Sequence, residues 1–210
     1  MLIDCISDLH GHYPQLEGGD LLIVAGDLTA KDTPAEYSEF GEWLVLQKYR
    51  SKIYIAGNHD NHLQNTDKLY TQIFGAEYLC DSGTEFEGLK VWGSPYTLRF
   101  PGENPKCLAF TCGDEEELAE HWKCIPEDTD ILVTHSPPWG VLDRTIHGES
   151  VGSLSLQKEI STFKPRLNLM VFGHLHDSYG YLNDMKCFFI NASHVNERYE
   201  PVNKPIRIEL

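Results

Sequence analysis

Five short apolar runs rich in branched residues recur along this chain, and each of them ends in a polar cluster. The runs cover residues 2–7, 21–25, 53–56, 131–134 and 169–172. Runs that are apolar at nearly every position are typical of strands in a sheet covered on both faces. Because ligands of open α/β sheets bind at the carboxyl ends of the strands, the polar clusters mark the place to look for a site.

Helical patterns lie between and after these runs, so the sequence predicts an α/β protein. One helix begins with a capping box formed by Thr33 and Glu36, with Pro34 at the first helical position, and continues to about residue 49. Three more helices are predicted at residues 61–74, from residue 114 onward and at 153–163. Hairpins are predicted at residues 78–96 and 178–191, and a final strand at 206–210.

The length of 210 residues suits one domain, and we expect residues 1–210 to form it. The apolar runs are far shorter than the ~20 residues that cross a bilayer, so no membrane partner is expected. Met1 is followed by neither a basic region nor a cleavage site of the secretory type, which predicts a cytoplasmic protein. Six cysteines without a C-x-x-C pair predict free thiols. The oligomeric state is left open.

The formal net charge of −15 bears on the class of substrate. An acidic surface repels the phosphate backbone of long nucleic acids, whose non-specific binding depends on lysine and arginine. The charge therefore favours small substrates over long nucleic acid.

The polar clusters that follow the runs contain histidine, carboxylate and carboxamide side chains. Singly, such a motif is more often a turn or a satisfied polar residue than a ligand, but five of them at strand ends must be paired or bound to something. The seven candidate metal ligands are Asp8, His10, Asp27, Asn58, His135, His174 and His176. This mixture suits manganese, iron, cobalt, nickel or zinc better than calcium. Seven ligands exceed the need of one zinc ion and suit two ions that share a carboxylate, about 3.5–4 Å apart.

The motifs D-x-H, G-D, G-N-H-D, H and G-H-x-H, in this order between residues 4 and 176, resemble the calcineurin-like metallophosphoesterase superfamily. The glycines before Asp27 and Asn58 also have an explanation unrelated to function, namely tight turns with positive φ. Segments at residues 93–95, 134–140, 190–193 and 201–206 are most similar to the small metallophosphoesterase-domain proteins. The resemblance implies a four-layer α/β/β/α sandwich of two mixed sheets, with the site at their edge, and a metal-dependent phosphoesterase.

The resemblance also implies a role for each residue of the motifs. Asp8, His10 and His176 would hold one metal ion, and Asn58, His135 and His174 would hold a second. Asp27 would bridge the two ions, together with a water or hydroxide that attacks phosphorus. His59 would donate a hydrogen bond or proton to the phosphoryl or leaving oxygen, and Asp60 would orient His59. Manganese is the first choice for both ions, with iron, zinc, cobalt or nickel as alternatives.

Three residues outside the motifs are candidate substrate contacts. Arg144 and His147 lie in a glycine-punctuated loop, residues 139–152, that we expect to overhang the site. Arg99, in the loop of residues 96–112, is the third candidate for contact with a phosphate or a base. Phosphoprotein phosphatases of the superfamily follow Gly-Asp with Asp-Arg-Gly, whereas Lys31 is the nearest cation here, which disfavours a phosphoserine phosphatase.

The sequence therefore predicts a binuclear metal-dependent hydrolase of small phosphoesters. Phosphodiesters such as cyclic nucleotides are the first choice, because the resemblance implies relatives that act on them. One alternative is a DNA nuclease of the repair type, although such nucleases carry domains beyond the catalytic one. A second alternative is a binding scaffold that kept the fold without activity, although such proteins usually lose ligands and all seven are present here.

Overall fold

The computed structural model describes residues 1–65, 75–100, 102, 104–163 and 166–210. Its strands are β1 (Leu2–Ile6), β2 (Gly19–Ala25), β3 (Tyr49–Ile55), β4 (Glu77–Tyr78), β5 (Ser82–Phe86), β6 (Leu89–Ser94), β7 (Thr97–Leu98), β8 (Thr111–Cys112), β9 (Ile131–Thr134), β10 (Leu169–Phe172), β11 (Gly180–Asn183), β12 (Phe188–Asn191) and β13 (Ile206–Glu209). Its α-helices are α1 (Pro34–Leu46), α2 (Asn61–Asn65), α3 (Glu115–Trp122) and α4 (Leu154–Phe163). A 3₁₀ turn covers His176–Ser178.

The longer strands form two mixed sheets. The first has the order β13-β1-β2-β3-β4 and is parallel except for β13, which pairs antiparallel with β1. The second has the order β11-β12-β10-β9-β6-β5, with β11 and β5 antiparallel at its two edges. A short parallel pair, β7 and β8, stands apart from both sheets.

Strand β2 shows why the central runs are apolar at every position. Leu21 and Ile23 face the second sheet, in a core that also contains Ile131 of β9, whereas Leu22 and Val24 pack with helix α1. On the far side, the outer face of the second sheet packs against α3 and α4. Alternate residues of one strand therefore enter different cores, and the predicted four-layer α/β/β/α arrangement is confirmed.

Helix α1 begins as predicted and ends earlier than predicted. Both halves of the capping box between Thr33 and Glu36 are formed. The helix ends at Leu46, and β3 starts at Tyr49 rather than at residue 53. The Lys52 ammonium binds the carbonyl of Leu44 at 2.9 Å and so satisfies an acceptor at the helix end.

Other predicted elements agree in type and differ in extent. The first hairpin is β5–β6, but Tyr78 belongs to β4, which extends the other sheet beside β3. The second hairpin is β11–β12, and all six thiols are free. The second helix is seen as α2, while residues 66–74 of that prediction lie outside the described residues. No helix in the described part of the chain is long and apolar enough to span a bilayer.

The topology decides where the motifs lie. Strands β1, β2 and β3 are parallel neighbours in the first sheet, and β9 and β10 are parallel neighbours in the second. Their carboxyl ends consequently meet at one edge of the sandwich, and each motif follows one of these ends.

Candidate metal centre

The first group of candidate ligands surrounds the carboxylate of Asp8. Ligand atoms of Asp8, His10 and His176 all lie within 4.8 Å of one another, and His176 Nε2 is 3.3 Å from Asp8 Oδ1. His10 Nε2 is 3.5 Å from Asp27 Oδ2, so the first group extends to Asp27. All but His176 are buried.

The second group surrounds the side-chain oxygen of Asn58. Asn58 Oδ1 is 3.0 Å from His135 Nε2 and 3.1 Å from His174 Nδ1. His135 Nε2 is also 3.4 Å from Asp27 Oδ1. One oxygen of Asp27 thus faces each group, which is the arrangement that a bridging carboxylate needs.

Two histidines are fixed in the tautomer that suits a metal ligand. His135 Nδ1 donates to the carbonyl of Ala25 at 2.9 Å, and His176 Nδ1 donates to the carbonyl of Asn196 at 3.1 Å. A carbonyl can only accept, so Nδ1 carries the proton in both rings and Nε2 faces the carboxylates. This is how metal-binding histidines are held by their surroundings.

His10 provides a direct test of whether a cation fits. His10 is 4% exposed, and within the described residues neither ring nitrogen has a hydrogen-bond partner. A buried polar atom without a partner is costly, and a cation beside Asp8 and Asp27 would satisfy Nε2. Mixed oxygen and nitrogen donors also suit divalent transition metals, so the residues fit such ions.

The charges of the site respond to burial and to each other. Burial lowers the pKa of His10 to about 4, which leaves the neutral ring that a metal binds. Burial also lowers the pKa of His135. The attraction of the Asp27 carboxylate for the imidazolium is larger than this effect and raises the pKa of His135 to about 9. Although burial opposes ionisation of Asp27, His135 and His59 hold the pKa of its carboxyl well below the usual range. A bound cation would take the place of the His135 proton.

The ligand loops carry backbone strain. Four candidate ligands have positive φ, namely Asp8 at 50°, His10 at 42°, Asp27 at 52° and His174 at 67°. Such angles are uncommon outside glycine and persist where surrounding bonds hold them, often at functional sites. Here the amide of Asp8 donates to Gly26 O, that of His10 donates to Asp27 O, and that of His174 donates to the Asp8 carboxylate.

The glycines of the motifs serve two different needs. Gly26 has φ of 100°, which suits a tight turn. Gly57 does not have positive φ, so a turn of this kind does not explain it. A Cβ at Gly57 would lie 2.2 Å from Asp27 Oδ1 and 2.7 Å from the His135 ring, and at Gly173 it would lie 2.1 Å from Asp8 Oδ2. Close approach of the loops, rather than backbone angle, explains these two glycines.

His59 lies over the two groups with 15% of its side chain exposed. Its amide donates to Asp27 Oδ1 at 2.9 Å, and its ring Nε2 is 3.9 Å from Asp27 Oδ2. On the other side of the ring, Nδ1 is 3.5 Å from Cys107 Sγ. The ring is therefore placed between the Asp27 carboxylate and a thiol.

The prediction that Asp60 orients His59 is wrong. The buried carboxylate of Asp60 accepts the amides of Leu28 and Gly57 at 2.8–3.2 Å, and it accepts the Thr29 hydroxyl at 3.3 Å. It ties the loop after β2 to the loop after β3, and so it holds the backbone on which Asp27 and Asn58 lie. The thiol of Cys107 occupies the position beside His59 Nδ1 instead.

Replacing Asp60 with alanine should lower the free energy of unfolding of the metal-free protein by about 2–4 kcal/mol, because two buried amides lose their acceptor. Asp60→Asn should cost less than half of this, since one amide oxygen can accept both amides while its NH₂ group faces Thr29. Urea unfolding measures the difference, with Asp128→Asn at an exposed position as the control. Equal stability of the alanine variant and the unmodified protein would refute this role.

A cavity of about 600 Å³ opens beside the metal centre, and we call it the apolar cavity. Its lining includes Asp27, Asn58, His59, Arg99, His174, His176 and Tyr199, together with Leu98, Phe100, Trp139, Val151 and Leu154. The loop of residues 139–152 contributes to the lining of the apolar cavity, as expected, and Arg99 also lines it. Arg144 and His147 are exposed and are not among the lining residues.

Two residues of the site could not be identified from the sequence. Ser193 donates to Asp8 Oδ2 at 2.7 Å and thereby orients a candidate ligand. The Tyr199 ring lies 4.8 Å from the His10 ring and 5.4 Å from the His176 ring. Ser193 belongs to residues 190–193, a segment similar to the small metallophosphoesterase-domain proteins. Nothing in the local sequence, however, indicates that the side chain of Ser193 or Tyr199 is part of the site.

Comparison with known proteins agrees with this geometry. The calcineurin-like phosphoesterase family profile matches residues 1–178. Human metallophosphoesterase domain-containing protein 1 is 34% identical over 98% of this chain and 70% of its own length. UPF0046 protein K07C11.7 of Caenorhabditis elegans is 34% identical over 96% of this chain and 72% of its own length. The crystal structure of TT1561 of Thermus thermophilus shares the fold, with a TM-score of 0.60 and 17% identity over 90% of this chain and 88% of that one.

Family, fold and clustered ligands thus agree for most of the length of the chain. The resemblance seen in the five motifs is confirmed, as is the expectation of an enzyme that hydrolyses phosphate esters with the help of metal ions. This chain belongs to the calcineurin-like phosphoesterase family of metal-dependent hydrolases.

Proposed function

We propose that this chain is a binuclear phosphodiesterase of small substrates, with cyclic nucleotides among them. The observation that carries the proposal is Asp27, whose two oxygens face two separate groups of nitrogen and oxygen ligands. Asp8, His10 and His176 would hold one ion, and Asn58, His135 and His174 would hold the other. The mixed oxygen and nitrogen donors suit manganese, which is our first choice for both ions, as well as iron, zinc, cobalt or nickel.

Two divalent ions in such a site clamp a phosphoryl group and lower the pKa of a bound water. The protein itself supplies the alignment. Asp60 and Ser193 hold the ligand loops, while His59 lines the apolar cavity and has its Nε2 atom 3.9 Å from Asp27 Oδ2. His59 would donate a hydrogen bond or a proton from Nε2 to the phosphoryl or leaving oxygen.

Cavity size and charge support small substrates. A volume of about 600 Å³ suits a molecule of nucleotide size, and apolar walls suit a base or an aryl group. The net charge of −15 opposes a long polyanion, which makes the nuclease alternative less favourable. Six free thiols fit a reducing compartment and support a cytoplasmic location.

The manganese-loaded protein should cleave cyclic or aryl diesters at least about tenfold faster than long DNA, because the acidic surface repels the DNA backbone. The test compares kcat/KM for bis-p-nitrophenyl phosphate, 2′,3′- and 3′,5′-cyclic nucleotides and single-stranded DNA, with p-nitrophenyl phosphate as the monoester. The difference should shrink as salt rises, since the Debye length is only about 8 Å at physiological ionic strength. Faster cleavage of long DNA at low salt would favour the nuclease instead.

A further inference from the structure

A second cavity, of about 760 Å³, opens on the other side of His59. We call it the cationic cavity because its lining includes Lys31, Lys106 and His12. Within the described residues, neither ammonium group has an ion-pair partner. Two unpaired lysines beside the reactive centre are unexpected in a protein with a net charge of −15.

One carboxylate, that of Asp32, also lines the cationic cavity. Its Oδ1 atom accepts the Tyr37 hydroxyl at 2.7 Å and the His62 amide at 2.9 Å, and these two neutral donors fix its orientation. The loop that carries Lys31 is held in place, because the Lys31 amide donates to Glu36 at 3.1 Å. Two lysines against one carboxylate leave the lining with a formal charge of +1, and the backbone at Lys31 is fixed.

Tyr199 separates the two cavities, since its ring and that of His59 line both of them. The Tyr199 ring packs edge-on against His10 and His176, whose centroids are 4.8 Å and 5.4 Å away. Its φ of 60° is unusual for an aromatic residue and is held by the bond from its amide to the Asn196 carbonyl at 2.9 Å. The tyrosine is thus held over the centre as a wall between an apolar space and a cationic one.

We propose that the two cavities hold the two ester groups of an unsymmetrical, open-chain phosphodiester, with an apolar group on one side of Tyr199 and an anionic group on the other. This deepens the proposed function and rests on it. Each cavity is large enough for one substituent, whereas a cyclic mononucleotide would occupy one cavity and leave the lysines without an anion. Hydrolysis adds one water across a P–O bond, so the products are a phosphomonoester and an alcohol.

The test uses two p-nitrophenyl diesters that differ only in the second ester group, a propyl group in one and a 2-carboxyethyl group in the other. With the manganese-loaded protein, the carboxylate should raise kcat/KM about fivefold or more, because it pairs with the two lysines. The preference should fall below about twofold in the Lys31→Met/Lys106→Met variant. It should persist in Lys158→Met/Lys186→Met, which removes the same charge from positions outside both cavities.

Variants of Tyr199 test whether its ring separates the apolar cavity from the cationic cavity. Tyr199→Gly removes the ring at a φ that glycine adopts freely, so the fold should be kept while the preference for the carboxylate substrate is lost. Tyr199→Phe keeps the ring and should keep the preference. Equal kcat/KM for the two diesters in the unmodified protein would overturn the proposal and leave a phosphodiesterase. A preference unaffected by the lysine substitutions would overturn it as well.

Measurements of binding without hydrolysis test the assignment of the two cavities separately from the proposed phosphodiesterase activity. Calorimetry with the matched non-hydrolysable phosphonates should give about fivefold tighter binding for the carboxylate compound, and the difference should vanish in the double-lysine variant. If this binding pattern is found but neither diester is hydrolysed, the cavities are assigned correctly and the proposed phosphodiesterase is wrong. Equal binding of the two phosphonates would overturn the cavity assignment whatever the activity.

Discussion

Replacing His135 with alanine is expected to remove one bound metal ion and, with it, at least about 10³-fold of the turnover. The reason is the position of His135 Nε2, which lies 3.0 Å from Asn58 Oδ1 and 3.4 Å from Asp27 Oδ1, with no exposure of the side chain. Water cannot replace the lost nitrogen with the same orientation, because the ring is fixed through its bond to Ala25. His174→Ala should behave alike, since its Nδ1 faces the same oxygen at 3.1 Å.

Elemental analysis after reconstitution with manganese measures the number of bound metal ions, and the rate of hydrolysis of bis-p-nitrophenyl phosphate measures the turnover. The unmodified protein should bind two equivalents, and the His135→Ala protein should bind one. His121→Ala is the matched control, because this histidine pairs with Asp81 and lies outside both cavities. Saturation of the unmodified protein at one equivalent would show that the centre is not binuclear.

Replacing His59 with alanine is expected to lower turnover by about 10²–10⁴ while both metal ions remain bound. His59 follows Asn58 in a tight turn, so the two side chains cannot readily point at one ion. The structure leaves 15% of the His59 side chain exposed and places it in the lining of both cavities. These are the properties of a group that meets the substrate. Its ligand atom nevertheless lies within 4.8 Å of those of His10 and Asp27, so metal content has to be measured together with rate.

Leaving groups distinguish the roles open to His59. If it donates a proton to the leaving oxygen, the loss caused by His59→Ala should be smaller for p-nitrophenolate than for an alkoxide, which needs more help from an acid. His59→Gln should show the same trend with metal content intact. Near-normal rates on a diester with a poor leaving group would make His59 a bystander, and loss of an ion would make it a ligand.

The sequence alone determined the central strands β1, β2, β9 and β10, the α/β class and the placement of the motifs. This was possible because these features are encoded locally. Apolar runs such as β2 identify strands buried on both faces, and the capping box at Thr33 identifies the start of α1. The order of the motifs after successive strands then predicts a common edge, which the structure has. The resemblance supplied the division of seven ligands into two groups, and the distances around Asp27 agree with it.

Tertiary structure decided how the site is held and what surrounds it. Ser193 orients Asp8 from a position 185 residues away in the chain, and Asp60 binds the loop after β2 instead of its neighbour His59. Tyr199 reaches the centre from a loop that has no regular pattern, and Lys31 and Lys106 come from separate loops to one cavity. The physical reason is the same in each case. Residue type and spacing determine local conformation, but hydrogen-bond partners and cavity walls come from distant segments that are brought together only when the two sheets pack.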